Sequence, residues 1–196
     1  MSSDTVSVER LRLGFKYFNR FMLLMWRLGL GRFFNTWPAV SGRVMVITHR
    51  GRITGKLRRT PLNYAIVDGD IYCTAGFGKI SDWYRNIKEN PEVEVWLPDS
   101  WWAGSVEEVD REHGDWLLLL RQVLIGSGFA AYAAGINPHR ISDAELGQVA
   151  EDYRLLRIRR QEARTGPGGP GDLSWLWPLA TMLLLPLVLF RRNRKR

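Results

Sequence analysis

Hydrophobic and polar positions recur at helical spacing over residues 5–30, so this part of the chain is predicted to form a helix. Its polar side chains fall within an arc of about 100°, and the rest of its circumference is apolar. A wide apolar face with a basic stripe is typical of a helix at a membrane interface, although a helix that packs on a core with a solvated edge has the same pattern. The apolar positions include Leu11, Phe15, Phe18, Met22 and Met25.

The middle of the chain has the pattern of short antiparallel strands joined by tight turns. Gly51–Gly55 is a glycine-bracketed hairpin connection, and Asp68–Asp70 is a second turn. Strands at this spacing, with a short helix from Asp82 to Lys88, favour a small α+β barrel over a doubly wound sheet. The predicted strands are Val44–Thr48, Leu57–Val67, Ile71–Ala75, Val93–Trp96, Trp102–Val109 and Tyr153–Ile158, and further helices are predicted at 111–127 and 142–150.

The composition changes abruptly after residue 160. Thr165–Gly171 is rich in glycine and proline and predicts a linker that carries no packing, so a chain ending at Arg164 should keep its fold. Leu173–Phe190 has no charged residue and would span about 27 Å as a helix, near the minimum for a bilayer core. A transmembrane helix is therefore predicted, and an apolar helix docked on the domain or on a partner is the alternative. The predicted segments are an N-terminal helix at 1–35, a barrel domain at 36–160, a linker at 161–172, a transmembrane helix at 173–190 and a basic tail at 191–196.

The formal net charge of +8 lies in clusters that would attract nucleic acid, anionic lipid or a phosphorylated cofactor. The chain has no RNP-like or helix-turn-helix pattern, which argues against nucleic acid. The single cysteine, Cys73, excludes an internal disulfide and fits a reducing compartment, so we expect a plasma-membrane protein with its main domain on the cytoplasmic side. His49, His113 and His139 lack the spacing of metal ligands, and no metal site is predicted.

Two stretches carry candidate chemistry. The hairpin from Gly51 to Leu62 combines four cations and two hydroxyls with glycines that let backbone amides approach a ligand. Alternation along a strand puts Lys56 and Arg58 on one face, where they could clamp a phosphate, although a solvated basic hairpin has the same composition. In the second stretch, residues 74–87, a strand ends in a Gly-x-Gly loop that leads into a helix N-terminus, a natural site for an anion or a carbonyl oxygen.

Together these stretches resemble the deazaflavin-dependent nitroreductase and quinone reductase family. The shared pattern is glycine-basic-x-Ser/Thr-Gly-x-x-Arg-x-x-Pro-Leu, an Asp-Gly-Asp turn, Gly-x-Gly, then Asp-Trp-Tyr-x-Asn-Ile with Asn-Pro and Val-x-Val. The resemblance covers roughly Val44 to Trp96 and extends more faintly to Ile158. It implies an α+β split β-barrel, similar to the FMN-binding barrels, between an N-terminal amphipathic helix and a C-terminal apolar helix.

The resemblance also implies a cofactor, coenzyme F-420, and the residues that bind it. One segment matches the part of the family that grips the phosphate and tail of the cofactor: Arg52, Thr54, Lys56, Arg58, Thr60 and Pro61. A second matches the loop against the deazaflavin ring and the helix that shapes its pocket: Gly76, Phe77, Gly78, Lys79, Trp83 and Asn86. The loop is shorter here than in most of the family, and Phe129–Tyr132 keeps one tyrosine of a tyrosine-rich stretch.

The predicted function is an oxidoreductase that passes a hydride from reduced F-420 to a quinone or nitro-type acceptor at the membrane. The cofactor carries the hydride, which fits the absence of an acid–base dyad or nucleophile motif and leaves the catalytic residues unassigned. Phe18, Met22 and Tyr132 are candidates for the acceptor site, and the expected partners are membrane lipid and a lipid-soluble quinone. FMN or haem in the same barrel, or a non-catalytic cofactor-binding domain at the membrane, remain alternatives.

Overall fold

The computed structural model describes residue 14 and residues 17–193. The first half of the predicted N-terminal helix, with Leu11 and Phe15, and the last three residues of the basic tail lie outside this range. The helices are α1 (residues 17–27), α2 (Gly31–Phe34), α3 (Pro38–Ser41), α4 (Asp82–Glu89), α5 (Trp116–Gly126), α6 (Phe129–Ala133), α7 (Asp143–Val149) and α8 (Leu176–Asn193). The strands are β1 (Val44–Arg50), β2 (Leu57–Val67), β3 (Asp70–Ala75), β4 (Glu92–Leu97), β5 (Ser100–Glu108) and β6 (Arg154–Ala163), and a 3-10 turn spans Gly78–Ile80.

The six strands close into a barrel in the order β1-β2-β3-β6-β5-β4, with antiparallel pairing between all neighbours. The predicted α+β barrel is therefore confirmed. Alternate residues of every strand fill the interior, because side chains on a strand point to opposite faces in turn. In β1, for example, Met45 and Ile47 face inward, whereas Val46 lies in an outer cluster with Trp26 and Trp96.

Helices cover the barrel on three sides. The α4 helix, which lies between β3 and β4 along the chain, packs Tyr84 and Ile87 into the interior core. The helices α5 to α7 pack on the outer faces of β2, β3 and β6 through a second cluster that includes Leu120. On the opposite outer face, α1 contributes Trp26, which is 1% exposed. The helices thus leave the hairpin between β1 and β2 accessible at one end of the barrel.

The helix α1 has both kinds of face that its sequence pattern allowed. Met22 and Trp26, one turn apart, are buried against the rest of the molecule. Leu24 lies on the outer side of the same helix, and Phe18, one turn before Met22, is 55% exposed. Part of the apolar arc is therefore core packing, and part of it remains on the surface.

The predicted linker is packed against the domain, and the expectation that it carries no packing is wrong. Gly169 is buried, and a Cβ atom at this position would lie 2.6 Å from the ring of Trp101. Asp172 forms an ion pair with Arg27 at 2.9 Å, and the amide of Gly171 donates to the carbonyl of Trp26 at 3.0 Å. The glycines that suggest flexibility in the sequence instead permit this close approach to a tryptophan face.

The C-terminal helix α8 begins three residues later than predicted and includes Arg191 and Arg192 among its eighteen residues. Its uncharged part is therefore shorter than the roughly 20 residues that a bilayer core requires. Within residues 14 and 17–193, no helix has both the length and the apolar character needed to cross a membrane, so the predicted transmembrane helix at 173–190 is not supported. The start of α8 is attached to α1, since the indole Nε1 of Trp177 donates to the carbonyl of Leu28 at 2.9 Å.

Candidate cofactor site

The hairpin between β1 and β2 is a closed turn held by its own backbone. The amide of Gly51 donates to the carbonyl of Lys56 at 2.9 Å, and the amide of Gly55 donates to the carbonyl of Gly51 at 2.8 Å. Gly55 has a φ of +64°, which favours glycine at this position. Arg50 adds a bond from its Nη1 to the carbonyl of Gly55 at 3.0 Å. The turn therefore presents a fixed set of side chains, including the exposed Thr54.

Arg52 connects the hairpin to α4. Its backbone amide and its Nη1 both donate to Oδ1 of Asn86 at 3.1 Å, and its Nη2 donates to Oδ1 of Asp82 at 3.1 Å. The resemblance to the family implies that Arg52 contacts the cofactor. In this chain its guanidinium already has a carboxylate and an amide as partners, so its contribution is to position the hairpin.

Arg59 is committed to the opposite side of the sheet. Its guanidinium lies 4.6 Å from the centre of the Trp96 ring and donates to the carbonyl of Gly168 at 2.8 Å. Asp172 adds a weaker ion pair at 3.9 Å. This arginine therefore secures the C-terminal segment on the barrel.

Lys56 and Arg58 are the hairpin cations left for a ligand. Both are exposed, and within the described part of the chain neither has a carboxylate within ion-pair distance. A Cβ atom on Gly51 would lie 3.0 Å from Nε of Arg58, so the absence of a side chain there makes room for the guanidinium. Two unpaired cations beside backbone and hydroxyl groups are the donor set that a phosphate requires.

A buried histidine, which the sequence interpretation considered only as a metal ligand, completes this end of the barrel. His49 is 2% exposed; its Nε2 lies 3.1 Å from Oγ1 of Thr60, and its Nδ1 lies 3.4 Å from Nδ2 of Asn86. Burial, followed by the charge of Arg58, lowers the pKa of His49 to about 4. The imidazole is therefore neutral at pH 7. The sequence could have indicated this burial, because His49 follows Met45 and Ile47 at alternate positions of β1 and therefore lies on the strand face that points inward.

The neutral imidazole makes stability depend on pH in a defined window. In the unfolded chain His49 has its ordinary pKa of 6.5, so between pH 6.5 and about 4 only the unfolded state takes up the proton. We expect this site to contribute its full stability above pH 6.5 and to lose up to about 3 kcal/mol of unfolding free energy as the pH falls to 4. Urea unfolding at several pH values measures the effect. The variant His49→Gln provides the baseline, and parallel pH profiles for the two proteins would contradict the prediction.

The glycine loop before α4 is shaped mainly by the chain itself. Gly78 has a φ of +55°, and a Cβ atom there would lie 2.4 Å from the carbonyl oxygen of Asp152. The carbonyl of Lys79 accepts a bond from Nε of Arg85 at 2.7 Å. Gly76 is exposed and lies beside the ring of Tyr153, and Phe77 is 46% exposed. Gly76, Phe77 and Lys79 are exposed and remain accessible to a ligand, whereas Gly78 is required by internal packing.

The remaining candidates lie on different elements. Trp83 is half-buried against the interior core, and Pro61 is half-buried in β2 opposite Val46. Among the acceptor candidates, Phe18 is exposed on α1 and Tyr132 is 46% exposed on α6, next to α3. Met22 is 2% exposed, so it does not present its side chain to an acceptor. Its place one turn before Trp26 puts it on the face of α1 that packs inward.

The chain is similar to solved structures of proteins that have several functions. A protein of unknown function from Agrobacterium tumefaciens, Atu2129, is 19% identical with a TM-score of 0.45, over 67% of this chain and 52% of its own. The haem storage protein HutZ from Vibrio cholerae is 11% identical with a TM-score of 0.45, over 66% of this chain and 89% of its own. An F420-H2 dependent reductase, FDR-A, is 23% identical with a TM-score of 0.42, over 60% of this chain and 94% of its own. At such values the likenesses do not decide what this chain binds.

The family assignment comes from the sequence. The model of the F420H(2)-dependent quinone reductase family matches residues 22–139, more than half of the chain. The matched range contains β1 to β5, α4, and every candidate cofactor residue of the hairpin and the glycine loop. The unpaired cations Lys56 and Arg58 fit the phosphate of coenzyme F-420, the cofactor of this family. The chain therefore belongs to the F420H(2)-dependent quinone reductase family, with coenzyme F-420 as its cofactor.

Proposed function

We propose that this protein transfers a hydride from reduced coenzyme F-420 to a lipid-soluble quinone that it meets at a membrane surface. The cofactor half of this proposal is supported by the different partners of the four cations in the hairpin. Arg52 and Arg59 are committed to internal partners, whereas Lys56 and Arg58 are exposed and have no acidic partner among the described residues.

The residues of the chain bind and orient the cofactor. Lys56 and Arg58 hold its phosphate by charge-assisted hydrogen bonds, and Thr60 adds a hydroxyl on the same face of β2 as Arg58. Gly76 and Phe77, which are accessible in the glycine loop, would contact the ring of the bound cofactor. When bound, the reduced deazaflavin supplies the hydride, so the protein needs no nucleophile or acid–base pair of its own.

The acceptor half of the proposal rests on the apolar surface formed by α1 and α8. Tyr17, Phe18 and Leu24 are exposed on α1, and Met182 and Leu183 are 73% and 63% exposed on α8. Exposed apolar side chains in this number on linked helices favour contact with lipid over contact with water. Such a surface would let the enzyme take long-chain quinones from the membrane. Nitro compounds, which dissolve in water, are a second acceptor class for the same reduced cofactor.

Binding and turnover test the proposal. Purified full-length protein is titrated with F-420 and separately with FMN, and oxidation of reduced F-420 is then followed with menaquinone in anionic vesicles, with a short-chain soluble quinone and with a nitroaromatic compound. We expect F-420 to bind and FMN not to compete, with the highest kcat/KM for menaquinone in vesicles. Preferential FMN or haem binding, or F-420 binding without oxidation by any acceptor, would contradict the proposed reaction.

Two substitutions on α1 distinguish a role in taking quinone up from the membrane from a role in core packing. Phe18→Ser is expected to raise the KM for menaquinone in vesicles by about tenfold or less, because it removes one exposed apolar side chain that is available to lipid. Activity with the soluble quinone, and the melting temperature, should hardly change. The buried neighbour provides the contrast, since Met22→Ser should lower the melting temperature and reduce activity with all acceptors together. If Phe18→Ser behaves like Met22→Ser, the lipid-facing role of α1 is wrong.

A further inference from the structure

The hydrogen bonds around His49 determine which of its nitrogens carries the proton. Oδ1 of Asn86 accepts two bonds from Arg52, which fixes the orientation of the Asn86 amide. The Nδ2 group of Asn86 is therefore directed to Nδ1 of His49 as a donor, at 3.4 Å. Because Nδ1 accepts, the proton of the neutral imidazole lies on Nε2.

The protonated Nε2 of His49 in turn fixes the hydroxyl of Thr60. Nε2 donates to Oγ1 of Thr60 at 3.1 Å, so the oxygen accepts from inside the barrel. The proton of the hydroxyl is then free to point away from the histidine. Thr60 is half-buried and lies two residues from the exposed Arg58, on the same face of β2.

We propose that His49 is a positioning residue that holds the Thr60 hydroxyl as a hydrogen-bond donor towards an anionic oxygen of the cofactor. The inference rests on the proposed binding of the cofactor phosphate by Lys56 and Arg58. A series of hydrogen bonds runs from Arg52 through Asn86 and His49 to Thr60. It fixes the direction of the Thr60 hydroxyl relative to the ligand. Burial and the charge of Arg58 keep the imidazole neutral, so Nδ1 remains an acceptor at pH 7.

Substitutions at the two residues should show that they act together. Thr60→Val is expected to weaken F-420 binding about tenfold, whereas Thr60→Ser, which keeps the hydroxyl, should retain wild-type affinity. His49→Leu should produce a loss similar to that of Thr60→Val, and His49→Gln should rescue it, because a glutamine amide can donate to Thr60 and accept from Asn86.

A double variant tests whether His49 acts through Thr60. In the Thr60→Val background, His49→Leu is expected to cause no further loss of affinity, since the hydroxyl that it orients is already absent. Full additivity of the two losses would overturn the inference. If His49→Leu does not fold, equal affinities of Thr60→Val and wild-type protein would be enough to overturn it.

The tautomer of His49 can be measured without any cofactor. Nitrogen-15 NMR of the imidazole at pH 7 is expected to show the proton on Nε2. A proton on Nδ1 would overturn this inference while leaving F-420 binding by Lys56 and Arg58 intact. Conversely, wild-type protein that binds no F-420 would overturn the proposed function itself, and this inference with it.

Discussion

Replacing both Lys56 and Arg58 with alanine is expected to lower the affinity for F-420 by at least about a hundredfold, without unfolding the domain. Each side chain supplies a charge-assisted contact worth roughly 1.5–3 kcal/mol, or about ten- to a hundredfold in affinity. Both are exposed and neither is paired with an acid among the described residues, so their removal takes no ion pair from the fold. Isothermal titration of the two single variants and the double variant measures the effect.

Two controls show whether a loss of affinity comes from the clamp itself. Arg140→Ala removes another exposed cation, far along the chain from the hairpin, and should leave the titration unchanged. Arg52→Ala should mainly lower the melting temperature, because it breaks the side-chain bonds to Asp82 and Asn86. The backbone amide of residue 52 still donates to Oδ1 of Asn86 and keeps the orientation of its amide. A double variant of Lys56 and Arg58 that still binds F-420 with wild-type affinity would remove the phosphate clamp from the proposed function.

A chain that ends at Arg164 is expected to lose about 2–4 kcal/mol of unfolding free energy. The truncation uncovers the face of Trp101 against which Gly169 packs. It also removes Asp172 from the partly buried ion pair with Arg27, and the carbonyl of Gly168 from Arg59. Urea unfolding and a red shift of the tryptophan emission should report these changes.

A shorter truncation provides the comparison. A chain that ends at Thr181 keeps Asp172, Gly169 and the bond from Trp177 to Leu28, and it removes only the outer part of α8. We expect this protein to unfold at nearly the same urea concentration as the full chain. Equal stability of the chains ending at Arg164 and Thr181 would mean that residues 165–181 contribute nothing to the fold.

The hydrophobic alternation and the turn residues predicted the barrel strands well, because both patterns lie within a few neighbouring residues of the sequence. The strand Leu57–Val67 has the predicted bounds, and α4 extends only one residue further than predicted. The roles of the hairpin cations could not be read in the same way. Arg52 meets Asn86 thirty-four residues away, and Arg59 meets Gly168 more than a hundred residues away. The packing of the linker was missed for a similar reason. Gly169 packs against the ring of Trp101, which leaves no room for a side chain but is distant in sequence.

The alternation of β2 constrains how the hairpin can change in length during evolution. Arg58 lies on the face of β2 that we propose binds the cofactor, and Arg59 faces Trp96. Both orientations follow from the register of β2 on β1, in which His49 is opposite Arg58. A single-residue insertion or deletion that shifted this pairing by one position would exchange the two faces. It would direct Arg59 to the cofactor and remove the arginine that holds residues 168–172. A shift of two positions preserves both roles, so homologues in which the β1–β2 pairing is shifted are expected to differ by even numbers of residues.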